Sequence, residues 1–151
     1  MEIREAVPSD AEAVSEMLSA LVAAGKRTRP SDAGFVLEAY ISNPLGIRTS
    51  VAVEGDEILG IQILSRAYEG NPYGAPLGSG IIGTHAAPWA ARRGVGRALF
   101  QATLGAAREA GLQTIEAFIH RENAEGHGYY GAMGFEPVRE DGDALVRSFR
   151  L

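Results

Sequence analysis

The chain contains no cysteine. Disulfides, thiolate metal sites and covalent cysteine catalysis are thereby excluded, and the composition suits a reducing compartment. Long hydrophobic runs are missing as well. Nothing approaches the roughly 20 apolar residues that span a bilayer, and Met1-Glu2-Ile3-Arg4-Glu5 has neither the basic start nor the apolar core of an export signal. A soluble, cytoplasmic protein without membrane contact is expected. Positive charge is scarce, with a formal net charge of −5, which argues against sequence-independent nucleic-acid binding but leaves room for a local basic patch. The histidines, at 85, 120 and 127, lack a compact ligand spacing, so no metal site is expected. There is no internal repeat and no low-complexity tract. What remains, at 151 residues, is one domain spanning 1–151, long enough to bury a single core and slightly enriched in glycine.

Along the chain, periodicity predicts alternating strands and helices. Glu2 to Val7 alternates as a strand. Ser9-x-x-Glu12 has the form of a capping box, opening a helix with Val14, Met17, Leu18 and Leu21 on its apolar face and Gly25 at its end. Ser31-Asp32 is positioned to cap a second helix reaching about Ile41, stopped before Asn43-Pro44. Ile47–Val53 and Ile58–Arg66 flank a Gly55-Asp56 turn and predict a hairpin. Tyr68–Gly80 carries too many glycines and prolines for a regular element and is expected to be a loop, contacting substrate or a second copy, or simply flexible. Ser79–Ala87 is predicted as a strand, followed by a helix with Val95, Leu99, Ala102 and Ala106 on one face and Gly111 at its end. Gln113–His120 alternates, with Ile115, Ala117 and Ile119 opposite Glu116, Phe118 and His120. Asn123–Met133 reads as a short helix, and Phe135–Val138 and Ala144–Leu151 as the last strands.

The densest chemical signal lies between strand and helix, in Pro88-Trp89-Ala90-Ala91-Arg92-Arg93-Gly94-Val95-Gly96-Arg97-Ala98-Leu99. Two glycines at such a turn leave backbone N–H groups open to approach, and the helix N-terminus adds positive potential to that of Arg92, Arg93 and Arg97. A polyphosphate-bearing ligand is the expected occupant. A nucleotide P-loop needs Lys and then Ser or Thr after the second glycine, where Arg97-Ala98 stand; a dinucleotide fingerprint needs glycine where Leu99 stands.

Ala91-Arg92-Arg93-Gly94-Val95-Gly96 resembles the acetyl-coenzyme A signature of the GNAT superfamily of N-acetyltransferases, Gln/Arg-x-x-Gly-x-Gly/Ala, departing from it at Ala91. About thirty residues on, Asn123 through Tyr129-Tyr130 to Gly134-Phe135 resembles that superfamily's second motif. The resemblance implies an α/β (α+β) fold: a central, mostly antiparallel sheet of six or seven strands, splayed in the middle to admit the cofactor and flanked by about four helices. Gly83, in the strand before the loop, suits a bulge or a close backbone approach, and a bulge there would open the splay.

By the same resemblance, acetyl-coenzyme A is the cosubstrate, and the acetyl group passes directly to a primary amine of a small-molecule or peptide acceptor. Its pantetheine arm would pair with the strand edge at Thr84, His85 and Ala86, and amides of Arg92, Arg93, Gly94, Val95, Gly96 and Arg97 would take the pyrophosphate. Asn123 would hold the arm or the local turn. Tyr130 would protonate the leaving thiolate, whereas Tyr129 reads as a core aromatic and His127, among glycines, as exposed. Three residues are candidates for the general base. Glu116 comes first, a carboxylate flanked by apolar groups and suited to proton removal through water; His120 on the same strand face and His85 follow. A homodimer is compatible with the chain. Two other classes stay open: a non-catalytic acyl-coenzyme A binding module, and an interaction protein whose glycine loop binds nothing.

Overall fold

The computed structural model describes Met1–Leu151 as seven strands and four helices. In chain order these are β1 (Glu2–Glu5), α1 (Ala11–Ala23), α2 (Ala33–Phe35, continued by π-helical turns over Val36–Ile41), β2 (Gly46–Glu54), β3 (Glu57–Arg66) and β4 (Ser79–Ala86). Then follow α3 (Val95–Glu109), β5 (Thr114–His120), α4 (Ala124–Met133), β6 (Glu136–Asp141) and β7 (Ala144–Arg150). The sheet order is β1-β2-β3-β4-β5-β7-β6, antiparallel throughout except for β4 and β5.

That parallel pair positions everything that follows. It holds for Ser79↔Thr114, Gly80↔Ile115 and Ile81↔Glu116, and then the strands part. β4 stays paired with β3 as far as Gly60↔Ala86, and β5 with β7 as far as His120↔Ala144. The sheet is therefore two antiparallel halves joined at one end and open at the other. No bulge at Gly83 causes this, contrary to the sequence expectation. The β3–β4 register runs unbroken through Ile63↔Gly83, and the shifts lie at Gly46/Arg48, Ala52/Val53 and Pro137/Arg139.

Strand alternation sorts the two faces. Gly60 lies beneath Val95 and Leu99 of α3, and Gln62 accepts a hydrogen bond from Thr103 of α3, so the even residues of β3 face α3. Ile115, Ala117 and Ile119 pack with Phe100, Tyr130 and Phe135 on that same face. The odd residues of β3 turn toward α1 and α2, as does His85, the register partner of Ile61. Glu116, Phe118 and His120 follow on β5.

Local differences from the sequence reading have local causes. No Ser9–Glu12 box caps the first helix; Asp10 holds the N-cap position without a side-chain bond into the helix, accepting instead from the preceding Val7 amide at 2.8 Å and pairing bidentately with Arg4, both bonds at 2.8 Å. Asp32 caps α2 as expected, accepting from the Phe35 amide. The buried stripe of α3 is Val95, Leu99, Phe100, Thr103 and Ala107, one position beyond the predicted Ala102 and Ala106. A threonine is accepted there because Gln62 satisfies its hydroxyl. β6 extends to Asp141 because Gly142, at φ +57°, turns it directly into β7.

Candidate active site

Gly94 precedes α3 in the left-handed region at φ +76°, with open space where a side chain would stand, and Arg92 is also left-handed at φ +63°. A non-glycine residue in that region is strained. The turn is clamped to the β2–β3 hairpin tip, where Trp89 donates to Glu57 and Arg93 pairs with Glu54 at 2.7 Å. The amides of Arg92, Gly94, Val95, Gly96 and Arg97 have no backbone acceptor, whereas that of Arg93 bonds Ala90 at 3.3 Å. Five open donors at a helix N-terminus, beside the exposed guanidinium groups of Arg92 and Arg97, form an anion cradle. Arg93 is turned away from it, with side chain and amide both engaged.

Gly96 is small for a different reason than the sequence indicates. A Cβ there would lie 2.5 Å from Cε1 of Tyr129, so it would point into α4 rather than outward toward a ligand. Tyr129 is half-buried, and its hydroxyl donates to the Gly96 carbonyl at 2.7 Å while accepting from Gln62 Nε2 at 2.9 Å. It is more than a core aromatic, because it ties the start of α3 to the sheet.

Gln62, fully buried, organises the parting of the strands. Its amide donates to Tyr129 and, at 2.9 Å, to Thr84 Oγ1; its carbonyl accepts from Thr103. Thr84 Oγ1 in turn lies 2.9 Å from the Tyr130 hydroxyl. Tyr130 is buried against Phe135 and Tyr129, with ring centroids 5.1 and 4.9 Å away. Burial pushes its phenol well above the ordinary value of about 10, opposed by the bond to Thr84, so it stays protonated at neutral pH.

The outer edge of β4 supplies backbone groups. Ser79 and Ala87 direct a carbonyl and an amide, respectively, toward β3, so alternation turns the amides and carbonyls of Ile82, Thr84 and Ala86 toward the open gap. His85 itself directs its backbone to β3, and its ring to the α2 face. There it stacks on Tyr40 with centroids 5.7 Å apart, and Nε2 lies 3.3 Å from the Tyr40 hydroxyl. Desolvation, with the charges of Arg27 and Arg29, pulls its pKa down to about 3.

This depression has a measurable sign. The unfolded chain takes up a proton near pH 6.5 that the folded chain refuses until about pH 3, so His85 lowers stability progressively as pH falls through that window. His85→Gln is expected to flatten the dependence of urea-unfolding stability on pH between about 6.5 and 4. An identical slope in both proteins would show that other groups carry it.

The remaining predicted residues are spread more widely. Glu116 is buried, with Arg139 Nη1 2.8 Å from Oε1 but off the donor direction, so that oxygen accepts no hydrogen bond. His120 is exposed; its Nδ1 accepts from the Glu122 amide. His127 is half-buried rather than exposed, its Nδ1 accepting from Arg147. Asn123 caps α4 by accepting from the Gly126 amide at 3.0 Å, so its visible task is the turn. Asn71 builds the 68–80 loop through four side-chain bonds to Tyr68, Tyr73 and Ala75, which brings the Tyr73 ring 5.2 Å from Phe118. Tyr73, Phe118 and His120 line a cleft of about 480 Å³ together with Arg29, Asp141 and Asp143.

Sequence reasoning missed Gln62, Thr103 and Asn71. Gln62 and Thr103 are polar residues inside otherwise apolar patterns, and that interruption was their only signal.

The profile of the acetyltransferase (GNAT) family matches residues 14–135. The chain belongs to that family. No curated protein matches it by sequence. Among solved structures, a GCN5-related N-acetyltransferase from Kribbella flavida superposes with a TM-score of 0.75 at 23% identity, covering 99% of this chain and 97% of the other. The PaiA N-acetyltransferase from Thermoplasma acidophilum, solved with coenzyme A, gives 0.78 at 17% identity over 99% and 98%. A Salmonella typhimurium protein solved with its cofactor acetyl-coenzyme A gives 0.72 at 20% identity over 99% and 93%. At these identities the likeness is one of fold. As a GNAT acetyltransferase the chain uses acetyl-coenzyme A as cosubstrate. The open amides at the start of α3 suit its pyrophosphate, and the unpaired β4 edge suits its amide-bearing arm. No helix is long and apolar enough to cross a membrane.

Proposed function

We propose that this GNAT domain, residues 1–151, transfers the acetyl group directly to a primary amine. The observation that carries this reading is the parting of β4 and β5 beyond Ile81, with the Tyr130 hydroxyl reaching Thr84 from one face and Glu116 on the other. The bound cosubstrate supplies an activated acetyl thioester. Amides of Arg92, Gly94, Val95, Gly96 and Arg97 hold its phosphates, Arg92 and Arg97 add charge, and the gap-facing groups of Ile82, Thr84 and Ala86 hold its arm. One of those amides polarises the thioester carbonyl, a contribution of about 3 kcal/mol in comparable acyl transfers.

Tyr130 is the general acid. Both amide hydrogens of Gln62 are committed, one of them to Thr84 Oγ1. Thr84 is thereby free to donate its own proton to Tyr130, which leaves the phenolic proton for the departing thiolate. Glu116 is the general base, ahead of His120 and His85. Its carboxylate is buried on the face of β5 opposite Tyr130, with Arg139 Nη1 2.8 Å from Oε1, whereas a proton on His85 would lie in the field of Arg27 and Arg29.

The test is a mass-spectrometric screen of amines incubated with acetyl-coenzyme A and the protein. A product heavier by one acetyl group, formed with release of free thiol, is expected. Tight acetyl-coenzyme A binding without turnover on any amine would favour a non-catalytic module. The cysteine-free chain makes the thiol readout free of background from the enzyme.

A further inference from the structure

Arg27 is the most anomalous charged group in the molecule. It is only 8% exposed, yet no carboxylate lies within ion-pair distance of it; Asp10, Glu54 and Glu116 take Arg4, Arg93 and Arg139 instead. Its Nη2 donates to the Pro30 carbonyl at 2.6 Å and to the Tyr40 hydroxyl at 3.1 Å, while its buried Nε has no partner. The Phe35 and Tyr40 rings each lie 5.8 Å from the guanidinium, and Arg29, also without a carboxylate, lies 5.7 Å over the same Phe35. Two guanidinium groups thus share one aromatic site with no counter-charge. A buried cation is costly unless an anion and hydrogen bonds compensate it.

The position says which anion would do so. Through the Tyr40 hydroxyl, Arg27 connects to His85 on β4, the strand that borders the gap. This is the α1–α2 face of the sheet, opposite the start of α3, so the cofactor's phosphates lie elsewhere. The cleft lined by Arg29 is also lined by Asp141 and Asp143 and by the rings of Tyr73 and Phe118. A wall of one sign would select a simple ion. A cation, carboxylates and aromatic surface lining one cleft match a zwitterion with an apolar body.

We propose that Arg27, assisted by Arg29, is a carboxylate subsite, and that the acceptor is an amino acid whose free carboxylate binds there while its amine reaches the gap. The inference rests on the acetyl-transfer reading and names its substrate class. Both Nη2 hydrogens are committed to Pro30 and Tyr40 and Nε is buried, so Nη1, which bonds nothing in the protein, is the edge left to donate a charge-assisted hydrogen bond to a carboxylate.

The experiment compares each standard amino acid with its own carboxamide as acceptor, measuring thiol release and acetylated product in wild type, Arg27→Gln and Arg29→Gln. At least one free acid is expected to exceed its carboxamide by about tenfold or more in kcat/KM, mainly through KM. Arg27→Gln should bring the acid-to-amide ratio close to one, and Arg29→Gln should lower it partway. Equal rates for acid and carboxamide in wild type, or a ratio preserved in Arg27→Gln, would overturn the subsite. So would acetyl-coenzyme A binding with acetylation of other amines but of no amino acid. The wild-type comparison stands even if Arg27→Gln does not fold, and Arg29, being exposed, supplies a second variant. Loss of the acetyl-transfer reading itself appears separately, as wild-type protein that fails to bind acetyl-coenzyme A by calorimetry, and takes the inference with it.

Discussion

Tyr130→Phe is expected to lower kcat by about 10²–10⁴-fold, the range that general-acid help supplies, while acetyl-coenzyme A affinity changes little. The ring fills the same space against Phe135 and Tyr129, so the substitution removes only a hydroxyl and its bond to Thr84. Because burial raises the phenol above its ordinary range, wild-type turnover should show no alkaline loss at the pH where an exposed tyrosine ionises, about 10. Gln62→Leu provides the companion measurement. It removes the donor to Thr84 and leaves Thr103 without its acceptor, so kcat should fall together with stability, whereas Tyr130→Phe should affect chiefly kcat. Equal turnover in wild type and Tyr130→Phe would reduce Tyr130 to packing.

The second large effect is expected at Gly96. Alanine in a helix ordinarily gains about 1 kcal/mol over glycine, yet here its methyl group would lie 2.5 Å from the Tyr129 ring. Overpacking of this kind costs about 1–3 kcal/mol, so Gly96→Ala should lower Tm, and Gly96→Val should do so further. Both should weaken cofactor binding by displacing the amides at the start of α3. A double-mutant cycle separates causes. If the clash with Tyr129 is responsible, Gly96→Ala made in a Tyr129→Ala background should cost almost nothing in stability. If instead the methyl group blocks phosphate approach, affinity would fall in both backgrounds with Tm unchanged. Gly94 is the contrasting position: it meets nothing within 4 Å, and substitution there is opposed by its φ of +76° alone.

Much of this arrangement was legible along the chain, because it depends on local periodicity and turn chemistry. The strand, glycine turn and helix around Arg92–Arg97, the Asn123 cap, the alternation that places Glu116 with Phe118 and His120, and the Asp32 cap are short-range features. Each is set by backbone geometry within a few residues. The family signatures at Gly94-x-Gly96 and Tyr130–Phe135 are of the same kind. Their identity, and with it the cosubstrate, could be read before any contact was known.

Other features depend on pairs distant in sequence, and no local pattern carries them. Gln62 meets Thr103 and Tyr129 from 41 and 67 positions away, and Arg93 finds Glu54 across 39. The role of Gly96 changes once Tyr129, 33 positions on, is seen beside it. The gap itself results from β4 following β3 while β5 follows β7, a choice of partners rather than a bulge at Gly83. Arg27 is the sharpest case. Within Lys26-Arg27-Thr28-Arg29-Pro30 it is indistinguishable from solvated loop charge, and only the packing of Phe35 and Tyr40 around it turns it into a buried cation. The sequence determined which elements form and which cofactor they are built for. The tertiary structure decided which charges are left without partners, because burial and pairing are properties of residues that meet only after folding.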